Sequence, residues 1–75
     1  MKELIEYIAK SIVDQPDEVV VTEETDDRGL VLKLQVADED KGRVIGKQGR
    51  VAEAMRTLLR VSAARQGTKV SLQIL

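Results

Sequence analysis

The 75-residue chain contains no cysteine, histidine, tryptophan or phenylalanine. Lack of cysteine excludes a disulfide framework and a thiolate metal site. Lack of histidine removes the usual general base and the commonest metal ligand. With Tyr7 as its single aromatic residue, the chain offers no platform for stacking bases, which argues against RRM and OB modules. No apolar run approaches the roughly 20 residues that span a bilayer, and the N-terminus shows no signal-peptide pattern. A soluble, cytoplasmic protein without membrane insertion is expected. A chain this short buries only about 60 % of its unfolded surface, so one domain over residues 1–75 is expected, with no large enclosed substrate pocket.

Charge is present in quantity and is segregated. The net charge of -1 conceals an acidic stretch, residues 14–40, where ten acids face only Arg28 and Lys33, a net of -8. Residues 41–75 carry eight bases against Glu53 alone, a net of +7. Such asymmetry fits an anionic partner for the second half, and equally fits two halves that neutralise each other on folding.

Apolar periodicity predicts the elements. Leu4, Ile5, Ile8, Ala9, Ile12 and Val13 recur at helical spacing, with Lys2, Glu3, Glu6 and Lys10 opposite, and Pro16 ends the helix. Val19 to Thr22 is β-branched and suits a strand. Asp26-Asp27-Arg28-Gly29 has turn chemistry, and the alternation of Leu30, Leu32, Leu34 and Val36 predicts a second, antiparallel strand. Asp38-Glu39-Asp40 is suited to capping a short helix that ends at Gly46. A longer helix is expected from Arg50 to about Arg65, burying Val51, Ala52, Met55, Leu58, Leu59 and Ser62, with Gly67 as C-cap. Thr68 to Leu75 alternates again, with Val70, Leu72 and Ile74 on one face. The fold class is α+β, in the order α-β-β-α-α-β, with a three-stranded sheet packed against helices on one face.

The informative stretch is Val44-Ile45-Gly46-Lys47-Gln48-Gly49-Arg50. Glycine in a helix interior costs roughly 1 kcal/mol relative to alanine, so two glycines that interrupt an amphipathic pattern need a reason. They let the chain turn sharply and let backbone approach another molecule without an intervening Cβ. The helix that follows begins with unpaired N–H groups and the positive end of its dipole. Lys41, Arg43, Lys47 and Arg50 add four positive charges within ten residues, with no acid among them. A plain helix-turn-helix connection with solvated bases has the same outline, but the intervening lysine, flanking arginines and preceding Val-Ile favour a seat for a sugar–phosphate backbone.

These residues resemble the signature GXXG loop of KH domains, which clamps a short single-stranded nucleic acid. The predicted order resembles the type II, bacterial-style KH fold, and the likeness covers essentially the whole chain. It is nearest to the small single-KH bacterial proteins of the KhpA (YlqC-like) group. That resemblance implies an RNA-binding protein that forms a homodimer and joins a larger KhpB/Jag-like KH protein, with links to cell elongation and division. It places Gly46, Lys47, Gln48 and Gly49 on phosphate and Val44 and Ile45 in the apolar floor of the groove. KH motifs usually carry an aliphatic residue three positions after the second glycine, and this chain has Ala52 there.

Single-stranded RNA is thus the expected ligand, held weakly and with salt sensitivity by a monomer. Four loop charges, all engaged, give a slope of roughly -3 in log K against log salt. Arg56 and Arg60, four apart on the long helix, either extend the positive strip or form its solvated face. An enzyme is not expected. The G-x-x-x-x-G-K-[ST] phosphate loop is unmatched, since Gly42 and Gly46 enclose three residues and Gln48 follows the lysine. No cofactor or metal is called for. The alternatives are a protein-interaction or dimerisation module without direct RNA binding, and a duplex-DNA-reading helix-turn-helix.

Overall fold

The computed structural model describes residues 1–75. Helix α1 (Lys2–Ile12) is followed by strands β1 (Val20–Asp26) and β2 (Gly29–Gln35), helices α2 (Lys41–Ile45) and α3 (Arg50–Gln66), and strand β3 (Val70–Ile74). Three short 3-10 turns, at 16–18, 38–40 and 47–49, join them. The order is the expected α-β-β-α-α-β. β2 lies at the centre of the sheet, antiparallel to β1 and parallel to β3, so β1 and β3 are its edges.

Each strand follows the period of two. Leu32, Leu34, Val21 and Leu72 point to the helical side and are buried with Ile5, Ala9, Val44, Met55 and Leu59 in one cluster. Val20, Glu24, Gln35 and Gln73 occupy the other, open face. On α1 the buried positions are Ile5 and Ala9, one turn apart, while Lys2, Glu6 and Lys10 form an ion-pair ladder on the outside. The α1 N-terminus also holds the Glu3 carboxyl below its ordinary range, through a hydrogen bond to its own backbone and the nearby terminal ammonium.

Strand β1 extends four residues past the β-branched run, through Glu23, Glu24, Thr25 and Asp26. The weak strand propensity of the three acids among them is overridden by pairing with β2, whose register runs from Val20↔Gln35 to Asp26↔Gly29. The hairpin closes where Asp26 Oδ1 accepts the Arg28 N–H at 2.8 Å. Gly29 sits at φ 127° against the Lys69 carbonyl, where a Cβ would collide.

Two expectations require correction. Leu58 was expected in the core but is 47 % exposed, and Ser62 is only half-buried. The buried stripe of α3 is Ala52, Met55, Leu59 and Ala63, and Leu58 lies about 100° around the helix from Leu59. The acids at 38–40 do not supply a helix cap. They form a 3-10 turn, and Asp40, 1 % exposed, turns its carboxylate inward. There Oδ1 and Oδ2 accept the backbone N–H groups of Asp14 and Gln15, each at 3.1 Å. This carboxylate fastens the connection after α1 to the start of α2, a five-residue helix too short to hold itself.

Candidate nucleic-acid interface

The loop between α2 and α3 owes its shape to three backbone choices, at positions 46, 48 and 49. Gly46 adopts φ 78°, ψ 172°, a region open only to glycine, and its N–H closes α2 by donating to the Gly42 carbonyl at 2.8 Å. A Cβ there would strike Val51. Gln48 follows at φ 58°, ψ 27°, the one non-glycine residue of the chain with positive φ. Gly49 is left-handed at φ 75°, and its N–H donates to the Gly46 carbonyl at 3.1 Å. A left-handed non-glycine residue costs roughly 1–2 kcal/mol, and the side chain so displayed at the bend is polar and exposed.

α3 opens directly after Gly49 with no side-chain cap. The Arg50 N–H donates to the Lys47 carbonyl across the 47–49 turn, and the positive end of the α3 dipole faces the same corner as Lys47 and Arg50, both exposed. Neither of these two cations is paired with a carboxylate, and Arg50 Nη2 donates to Gln48 Oε1 at 3.4 Å, bracing the loop from within.

The other expected cations are engaged. Lys41 Nζ lies 3.3 Å from Asp38. Arg43 Nη2 lies 3.1 Å from Asp14, and its Nε is 3.7 Å from Asp40. The pair expected to floor the groove is also divided. Val44 is fully buried in the core and presents no surface, whereas Ile45 is 41 % exposed and keeps an apolar surface beside the loop. Ala52 is buried, and its small side chain lets the first turn of α3 lie close to the core.

A cleft of about 220 Å³ lies between α3 and β3, with Leu59 and Leu72 at its floor and Arg56 and Arg60 at its rim. Arg56 Nη2 donates to the Leu72 carbonyl at 3.4 Å, which fixes one guanidinium over the cleft. Arg60 is tied to Glu53 at 2.9 Å. β3 is an edge strand, so backbone donors and acceptors along its free side are left for a ligand. The loop and cleft share α3 as a common wall. Sequence reasoning singled out the loop and raised the two arginines but did not place β3 beside α3, a position that has no local signature.

The family model described as "KhpA/KhpB, KH domain" matches residues 2–74. The chain belongs to this family. It is 51 % identical over all 75 residues to the RNA-binding protein KhpA of Clostridium acetobutylicum, with both chains covered completely. It is 49 % identical to the RNA-binding protein KhpA of Listeria monocytogenes, covering the whole of this chain and 99 % of that one. The corresponding Treponema pallidum protein, also named RNA-binding protein KhpA, is 50 % identical over 74 residues, covering 99 % of this chain and 92 % of the other. No solved structure matches the chain. In this KH domain the GKQG stretch lies between α2 and α3, and no helix is long and apolar enough to cross a membrane.

Proposed function

We propose that this chain binds single-stranded RNA, laying its backbone across Gly46, Lys47, Gln48 and Gly49 and its bases along the cleft between α3 and β3. The observation that carries the reading is the bend itself: glycine-only backbone at Gly46, the positive end of the α3 dipole, and two cations without acidic partners at one corner. The names of the relatives support the ligand class. Ile45, Leu59 and Leu72 supply apolar surface, and Arg56 and the free edge of β3 supply hydrogen bonds. Without aromatic platforms, discrimination between bases rests on those hydrogen bonds and on fit.

The same reading extends to a cytoplasmic post-transcriptional regulator or RNA chaperone, acting with a larger KhpB/Jag-like partner in cell elongation and division. The shared KhpA/KhpB family supports a KH-containing partner of that kind. A homodimer is favoured by the exposed stripe of Leu58 and Val61 on α3, 47 % and 51 % exposed and three residues apart. Two weak sites on one assembly gain by avidity.

The test is the double variant Lys47→Asp, Gln48→Asp. Circular dichroism should show an intact fold, while titration with single-stranded RNA loses at least an order of magnitude in affinity. Unchanged RNA binding would remove the loop from the mechanism. Partner binding that is lost while RNA affinity is unaffected would favour an interaction module. Tighter binding of duplex DNA than of single-stranded RNA would favour a DNA reader.

A further inference from the structure

The cleft beside Arg56 does not end at the middle of α3. A second depression, about 370 Å³, shares Arg60 and Val70 with the first and reaches Lys69 in the connection between α3 and β3. A third, about 360 Å³, shares Lys69 and Val70 with the second and ends at Arg28 on the β1–β2 hairpin. The three depressions adjoin around the β3 edge, a furrow that begins on the helical side at Arg56 and Arg60 and turns onto the open face, where Ser71 and Gln73 stand, at Lys69 and Arg28.

The far end is built rather than accidental. Leu30 N–H donates to the Lys69 carbonyl at 2.9 Å, and Gly29 packs so closely on that carbonyl that no Cβ fits. The hairpin tip and the α3–β3 connection are thus fastened together, which brings cations from two distant stretches of sequence to one depression. Neither Arg28 nor Lys69 forms an ion pair. Ser71 and Gln73 line the same depression and add neutral donors. Asp26 also lines it, with Oδ1 turned into the hairpin to accept the Arg28 N–H.

We infer that Arg28 and Lys69 form a second phosphate anchor for the RNA strand that the GKQG loop holds at the opposite end of α3. This inference rests on the RNA reading above. The separation sets the length of RNA required. The 17 residues of α3 span about 25 Å at 1.5 Å per residue. At roughly 3.4 Å per nucleotide of a stacked strand, that distance needs about seven nucleotides, beyond the four that a GXXG loop clamps. Short RNA engages the loop alone, and longer RNA reaches the hairpin.

The experiment measures affinity for single-stranded RNA of 4, 8 and 12 nucleotides in the wild-type chain and in Arg28→Ala, Lys69→Ala. In the wild type, affinity rises about tenfold or more between 4 and 8 nucleotides, and the salt slope steepens by about 1.4 as two further phosphates are neutralised. In the double variant the 4-nucleotide affinity is unchanged and the gain with length is lost. Arg65→Ala, which removes an exposed charge outside the furrow, keeps the gain. Asp26→Asn, which preserves the turn acceptor but not the charge, enlarges it. A double variant that keeps the full gain overturns the anchor, as does a wild type without any gain. No binding at any length defeats the RNA reading itself, and the anchor with it.

Discussion

Arg43 Nη2 stands 3.1 Å from Asp14 Oδ2, across from the connection that follows α1. Together with Asp40 at 3.7 Å, this pairs Arg43, itself exposed at the surface, with two carboxylates. Lys41 is likewise paired with Asp38. Four nearby cations therefore leave two, Lys47 and Arg50, as uncompensated charges for phosphate.

The salt response of a short oligonucleotide should reflect that count. At about 0.7 per phosphate, two cations give a slope near -1.4, where four would give roughly -3. Asp14→Asn should free Arg43 and steepen the slope by about 0.7. In Asp14→Asn, Arg43→Ala the steepening should vanish. Binding titrations of a 4-nucleotide RNA from low to high salt would decide it, and a wild-type slope near -3 would mean the ion pairs open on binding.

The two loop glycines should respond unequally to alanine. Gly46→Ala combines a backbone region closed to other residues with a collision against Val51, for a cost of about 2–4 kcal/mol. Gly49→Ala meets open space and pays only for its left-handed φ, about 1–2 kcal/mol. Urea denaturation of both variants gives the order, and equal losses would contradict the packing described at Gly46.

Gly42 offers the opposite case. It lies in α2 without positive φ, and a Cβ there would meet nothing within 4 Å. Gly42→Ala should raise stability by about 0.5–1 kcal/mol, a shift visible as a higher midpoint of thermal unfolding. Loss of stability would mean that the site is more crowded than its open face indicates.

Removing the inward carboxylate should be severe. Asp40→Ala leaves the part-buried N–H groups of Asp14 and Gln15 without their acceptor, at about 1 kcal/mol for each. Asp40→Asn keeps one oxygen and should lose less. Amide hydrogen exchange at positions 14 and 15 would report the change directly, and protected amides in Asp40→Ala would rule out this anchoring role.

Much of this arrangement was legible in the chain. The 3.6-residue recurrence in α1 and the alternation in β2 and β3 follow from whether successive side chains must share one buried face. The loop was legible because glycine is the residue whose presence identifies unusual backbone, and Gly46 and Gly49 both have positive φ. The α3 face was read one position too broadly at Leu58, because apolarity alone does not say which flank of a helix the sheet covers. Asp40 was read as a cap for a comparable reason. An acid before a helix has the same local appearance whether it caps that helix or turns inward to another segment.

The sequence by itself determined the elements, the order in which they occur and the naked basic bend, since each depends on residues within a few positions of one another. Tertiary structure alone decided which charges stay free, because ion pairing depends on distances between segments far apart in the chain. Asp14 reaches Arg43, and the Arg28 hairpin meets Lys69, only after β2 has taken its place between β1 and β3.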